Sequence, residues 1–78
     1  MTKYNHINNN FEVQHSTFVG DVDSKKLRAD VYSVKGGHWG CRFWKDNVWW
    51  KDEVYEGHSE DYAEDAAENY VLGIKILT

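Results

Sequence analysis

Two aromatic-rich runs separated by only two polar residues constrain the fold of this chain more than any other feature. The runs span His38–Lys45 and Val48–Tyr55, and Asp46-Asn47 lies between them. Asp and Asn tolerate the positive φ angles that a two-residue hairpin turn requires. The pattern therefore predicts an antiparallel β-hairpin in this part of the chain.

The register of this hairpin decides which side chains share a face. With Lys45 and Val48 beside the turn, the predicted cross-strand pairs are Trp44–Trp49, Phe43–Trp50, Arg42–Lys51 and Cys41–Asp52. Because side chains alternate between the two faces of a strand, the core face should carry the apolar set Trp39, Cys41, Phe43, Trp50 and Val54. The outer face should carry the mixed set Arg42, Trp44, Trp49, Lys51, Glu53 and Tyr55. A slip of one residue would exchange these faces.

Two further strands are predicted before the hairpin. Alternation of apolar and polar residues from Phe11 to about Val19 indicates a first strand, and turn-forming residues follow at 20–26. Alternation over Leu27–Val34 predicts a second strand, which Gly36-Gly37 ends. Its core side should carry Leu27, Ala29 and Val31, and its outer side Arg28, Asp30 and Tyr32.

A helix is predicted after the hairpin, from Glu60 to about Leu72. Ser59 is a favourable N-cap, and the acidic residues that follow it suit the first turn. Gly73 is the expected C-cap, and residues 74–77 form a short tail that we expect to dock on the core. The apolar stripe at helical spacing consists of Tyr62, Ala63, Ala66, Ala67, Tyr70, Val71, Gly73 and Ile74.

These elements predict an α+β fold, an antiparallel meander of three or four strands with one C-terminal helix packed on one face. We expect a single domain over residues 10–78, after a flexible N-terminal arm at residues 1–9 that is polar and rich in Asn. One helix covers one face of such a sheet, so the other face should remain open.

The composition narrows the function classes. A net charge of −4 disfavours a general phosphate-binding protein, which normally presents a basic face, and leaves open a pocket for one small nucleotide. One cysteine cannot form an intrachain disulfide, and no signal peptide or membrane-spanning run is evident. We therefore expect a cytoplasmic protein that does not act on membranes.

The open sheet face is the first candidate site, because twelve aromatic residues exceed what one thin core needs. Trp and Arg are enriched at interface hot spots, and aromatic rings beside cations also stack nucleotide bases. The simpler alternatives are cross-strand pairing that only stabilises the hairpin and a homodimer seam. The candidate binding residues on this face are Arg28, Tyr32, Arg42, Trp44, Trp49, Lys51 and Tyr55.

The acidic side of the helix is the second candidate site. Like charges spaced four residues apart cost a few tenths of a kcal/mol each, and a solvated face is the common reason for them. The alternative is docking onto a basic protein surface in imitation of phosphates. The residues concerned are Glu60, Asp61, Glu64, Asp65 and Glu68.

Metal binding and catalysis have weaker support in the sequence. His38 and Cys41 are three residues apart on a strand, so they should point to opposite faces, and structural zinc normally takes four ligands. Cys41 is expected in the core, where cysteines are inert. We therefore expect no metal, no cofactor and no enzymatic activity, with a Cys/His enzyme as the weakest alternative.

The segment from Gly57 to Ile74, GHSEDYAEDAAENYVLGI, follows an aromatic hairpin and resembles the C-terminal half of small uncharacterised proteins of tailed phages. The resemblance covers about half of the chain and carries no catalytic motif. Small size and acidic charge are also similar in style to phage counter-defence proteins. The resemblance implies a binding protein that blocks or sequesters a host protein or complex. The alternative is a homo-oligomeric sponge for a small nucleotide.

Overall fold

Two tight turns with the same backbone geometry bring the strands of this protein together. The computed structural model describes residues 10–74, so the predictions for the arm at 1–9 and for tail residues 75–77 lie outside it. Asp23-Ser24 and Asp46-Asn47 both have φ angles of 51° and 67°, which is the left-handed geometry of two-residue hairpin turns. The predicted turn at Asp46-Asn47 is therefore confirmed.

The strands are β1 (Phe11–Val22), β2 (Lys25–Val34), β3 (His38–Lys45) and β4 (Val48–Tyr55), and the helix is α1 (Glu60–Val71). They form one antiparallel sheet in the order β1-β2-β3-β4. This confirms the predicted α+β meander and gives it four strands. Strand β1 is longer than predicted because it stays paired with β2 up to the turn at Asp23.

Helix α1 has well-defined caps at both ends. The side chain of Ser59 accepts a hydrogen bond from the Tyr62 N–H at 3.3 Å, as predicted for an N-cap. The prediction of Gly73 as the C-cap is wrong by one residue: Leu72 is the C-cap, and Gly73 follows it with a φ of 80°. The Gly73 and Ile74 amides donate to carbonyls of the last helical turn, which is the glycine-terminated motif that ends many helices.

The core lies between α1 and the sheet. The helix lies mainly over β2 and also contacts β1 and β3, and its alanines allow a close approach. The rings of Phe43 and Tyr70 meet edge to face with 4.8 Å between their centroids. The buried cluster consists of Ala29, Val31, Cys41, Phe43, Ala63, Ala66, Ala67, Tyr70 and Val71. Within residues 10–74, no helix is long and apolar enough to cross a membrane.

Gly20 marks the point where the end of the helix comes closest to β1. A Cβ atom at this position would overlap the backbone carbonyl of Val71. A backbone group cannot move aside as a flexible side chain can, so the helix itself would have to shift. The absence of a side chain at Gly20 therefore sets how closely α1 packs on the edge of the sheet.

We expect Gly20→Ala to lower the free energy of unfolding by about 1–3 kcal/mol, the usual cost of overpacking. Val19→Ala, at the exposed neighbouring position, is the matched control and should change stability little. Urea unfolding followed by tryptophan fluorescence measures both. Equal stability of the two variants would contradict the proposed close contact.

Candidate functional site

A β-bulge at Trp50 sets the register of the central hairpin. Trp44 pairs with Trp49 as predicted, but Phe43 pairs with Lys51, and Trp50 is the additional residue in β4. The predicted pairs Phe43–Trp50, Arg42–Lys51 and Cys41–Asp52 are therefore wrong. The predicted register would have placed two cations opposite each other, which is destabilising.

The bulge exchanges the faces of the rest of β4. Cys41 now pairs with Glu53 and Arg42 with Asp52, so alternation puts Lys51, Glu53 and Tyr55 on the helix side. Tyr55 packs against the core cluster. The prediction that Lys51 and Tyr55 belong to the outer binding face is wrong for this reason, as is the prediction that Val54 faces the core.

Asp30 is the hub of a first hydrogen-bonded network on the outer face, defined here as the sheet face opposite α1. The residue is only 2% exposed. Its carboxylate accepts from Trp44 Nε1 at 3.0 Å, from Thr17 Oγ1 at 3.0 Å and from Arg28 Nη2 at 3.3 Å. The Arg28 guanidinium lies 4.2 Å from the centroid of the Trp44 ring, so the cation and the indole shield the carboxylate from water.

Asp52 is the hub of a second network with the same chemistry. Its side chain is 3% exposed. Arg42 donates to both carboxylate oxygens, from Nε at 3.0 Å and from Nη2 at 3.1 Å, and Trp49 Nε1 donates at 2.9 Å. Such a bidentate pairing fixes the guanidinium plane. Each buried carboxylate is thus held by one arginine and one indole.

Aromatic rings lie beside the second network. The Arg42 guanidinium is 5.0 Å from the ring centroids of both Phe11 and Tyr32, and these two rings are 5.1 Å apart. The Tyr32 hydroxyl donates to Gln14 Oε1 at 3.3 Å. Strand β1 therefore contributes Phe11 and Gln14 to the candidate face, which the sequence analysis did not include.

The charges on the outer face are matched within it. Arg28 pairs with Asp30 and Arg42 pairs with Asp52. Burial lowers the pKa of Arg42, but the hydrogen bonds and negative charge of Asp52 outweigh burial, so the pKa stands above its ordinary value. The structure brings together five predicted site residues on this face: Arg28, Tyr32, Arg42, Trp44 and Trp49.

A separate polar cluster lies on the helix side of β4. The Tyr55 hydroxyl donates to Glu53 Oε1 at 2.6 Å, and Lys51 Nζ lies 3.6 Å from Glu53 Oε2. Burial and the hydrogen bond to Glu53 both raise the pKa of Tyr55. These groups satisfy one another beside α1, so they are not available to the outer face.

The acidic side of α1 is divided between packed and exposed residues. Glu64 Oε2 accepts from Ser16 Oγ at 3.1 Å, which ties the helix to β1. Glu60 is also partly buried, whereas Asp61, Asp65 and Glu68 are exposed. The predicted acidic surface is present, but only its outer three residues are open to a partner.

The single cysteine, Cys41, lies in the core. Cys41 is fully buried, and its thiol donates to the Ala63 carbonyl at 3.1 Å beneath the helix. Among residues 10–74, no group of three or more His, Cys, Asp and Glu side chains is arranged to hold a metal ion.

Comparison of the chain with protein-family models, curated proteins and solved structures found no match in any of the three.

The first network gives a stability prediction. Asp30→Ala removes the acceptor of a partly buried indole N–H and of a guanidinium, so we expect a loss of about 3 kcal/mol in unfolding free energy. Asp21→Ala, at an exposed position on β1, should cost less than about 0.5 kcal/mol. Chemical denaturation measures the loss, and near-UV circular dichroism reports whether the Trp44 environment changes. A loss for Asp30→Ala no larger than for Asp21→Ala would contradict a role for Asp30 as a hub.

Tyr55 gives a pH prediction. Its folded-state pKa is raised, so the unfolded chain releases this proton first as pH rises past about 10. The unfolded state then binds fewer protons, and stability falls with increasing pH. Tyr55→Phe should make the decrease of unfolding free energy per pH unit shallower, by at most the slope that one bound proton contributes. Tyr62→Phe, on the exposed helix surface, serves as the control. Urea unfolding at pH 8, 10 and 11 measures the slope, and equal slopes in both variants would contradict the assignment.

Proposed function

We propose that this protein is a non-catalytic binding protein that contacts another protein through the outer face of its sheet. The main support for this proposal is that Trp44 and Trp49 are held in fixed positions on that face. Each indole is hydrogen-bonded to a buried carboxylate, and no element within residues 10–74 packs over them. Rigid aromatic and arginine side chains provide contact area at low entropic cost, which is what protein interfaces use.

Each arginine of this surface is already paired with an aspartate, which favours a protein partner over a phosphate ligand. A phosphate would have to displace the Asp52 carboxylate from its bidentate hydrogen bonds with Arg42. That exchange would leave a buried carboxylate without its cation, which is costly. Stacking of nucleotide bases on this face, the alternative function, therefore has less physical support than contact with a protein.

The finer proposal is that the partner is a host protein or complex that this protein blocks or sequesters. Its support is the resemblance of residues 57–74 to small proteins of tailed phages, together with the acidic charge of the chain. The exposed helix residues Asp61, Asp65 and Glu68 would favour a partner with a basic rim, through long-range attraction that falls with salt.

Two matched pairs of variants test the contact surface. Val19 on the outer face and Val48 on the helix side are 72% and 66% exposed, so Val19→Glu and Val48→Glu make the same change on opposite sides of the sheet. Tyr32→Ala and Tyr62→Ala form the second pair. The tagged protein and these variants are used to capture partners from host lysate, and mass spectrometry quantifies the captured proteins.

We expect Val19→Glu and Tyr32→Ala to reduce capture of a specific partner at least tenfold, with less than twofold change for Val48→Glu and Tyr62→Ala. Thermal melting of each variant separates loss of contact from loss of fold. Equal capture by all four variants, or loss only on the helix side, would overturn the proposal. Light scattering decides whether the partner is a second copy: a dimer that Val19→Glu dissociates would make the outer face a homodimer seam and exclude the host-factor proposal.

A further inference from the structure

A cavity of about 650 Å³ lies at the end of the sheet where both hairpin turns meet the end of α1. This volume is within the range of small-molecule sites in proteins. The cavity lies mainly on the helix side of the sheet, where residues pack around Tyr70, and it shares only Trp49 with the networks of the outer face. Its apolar lining consists of Val22, Leu27, Val48, Trp49, Trp50 and Tyr70.

The exposed ring of Trp50, which packs on the buried ring of Tyr70, gives the cavity a flat wall that suits a planar group. The Trp50 and Tyr70 rings are 6.0 Å apart and tilted by 30°. The Tyr70 hydroxyl donates to the Trp44 carbonyl at 3.0 Å, which holds that ring in place. Trp50 is the bulge residue and is 42% exposed, so a flat apolar ligand could cover ring surface that water now contacts.

The mouth of the cavity offers cations to an anionic group. Lys25 and Lys45 line it, and neither forms an ion pair with any residue in 10–74. Of the two aspartates beside them, Asp46 accepts a hydrogen bond from the Lys26 amide at 2.9 Å. A hydrogen bond from an amide leaves the carboxylate charge in place, so Asp23 and Asp46 both oppose an anion, which must lie closer to the lysines than to either aspartate.

We propose that this cavity binds a small ligand that combines an aromatic ring with an anionic group. The ring would lie against Trp50 and the aliphatic wall, and the anion would face Lys25 and Lys45. A molecule with a net charge of −4 repels anions at most of its surface, so binding here depends on the local lysines. Trp49 belongs to both surfaces, whereas Trp50, Lys25 and Lys45 belong to the cavity alone, so variants at these three positions test this proposal separately from the contact surface.

Two fluorescent probes with the same ring system separate the apolar and ionic parts of the site. 1-Anilinonaphthalene-8-sulfonate carries an anionic group, and N-phenyl-1-naphthylamine lacks it. We expect the double variant Lys25→Ala/Lys45→Ala to weaken binding of the sulfonate about fivefold and to leave the neutral probe within twofold. Asp23→Asn should strengthen sulfonate binding, because it removes an opposing charge and Asn tolerates the positive φ of this turn.

Trp50→Ala should weaken both probes at least fivefold, and Val48→Ser provides a second wall variant if the first proves unstable in thermal melting. Lys35→Ala, at an exposed position away from the cavity lining, is the control and should change neither affinity. Equal affinities of the sulfonate for the protein and the double lysine variant would overturn the proposal. Retention of both probes in a folded wall variant would overturn it as well.

Discussion

The additional residue at Trp50 is the constraint on which most of the structure depends. Without it, Arg42 would lie opposite Lys51, and Asp52 would not face the arginine that its carboxylate needs. With it, the guanidinium and carboxylate meet on the outer face, while Tyr55 and Glu53 turn towards the helix. The same bulge leaves the Trp50 ring beside Tyr70. One local irregularity thus links the sheet register, the second network and the wall of the cavity.

Two buried carboxylates explain how a sheet face that no element of residues 10–74 covers can carry tryptophans and arginines in fixed positions. An indole N–H or a guanidinium left without an acceptor would be costly once partly removed from water. Asp30 and Asp52 supply acceptors to both indoles and to one or more nitrogens of each guanidinium, while the buried Arg28 Nε has no partner among residues 10–74. The face is consequently nearly neutral and preorganised. These properties suit contact with a folded protein better than capture of a free anion.

Much of the fold could be predicted from local patterns in the sequence. The Asp46-Asn47 turn, the bounds of β3 and β4, the Ser59 cap and the position of Gly73 just beyond the helix C-cap all follow from residue types at fixed positions. The register beyond Trp49 could not be predicted by alternation, because the period-two rule assumes that every residue is paired. The like-charged pair Arg42–Lys51 was the one available signal against it. The contributions of Phe11, Gln14 and Thr17 depended on long-range pairing of β1, which local patterns do not specify.

The irregular pairing along both edge strands also bears on self-association. Strand β1 has register shifts near Val13 and His15, and β4 has its bulge at Trp50 followed by Lys51. An uninterrupted edge rich in aromatic residues would offer its unpaired amides and carbonyls to the next molecule and could grow into a continuous ladder. The register shifts in β1 and the bulge in β4 interrupt this pairing surface at both edges of the sheet. A protein with so many large rings can therefore display them on a broad surface while its borders resist fibril-like stacking.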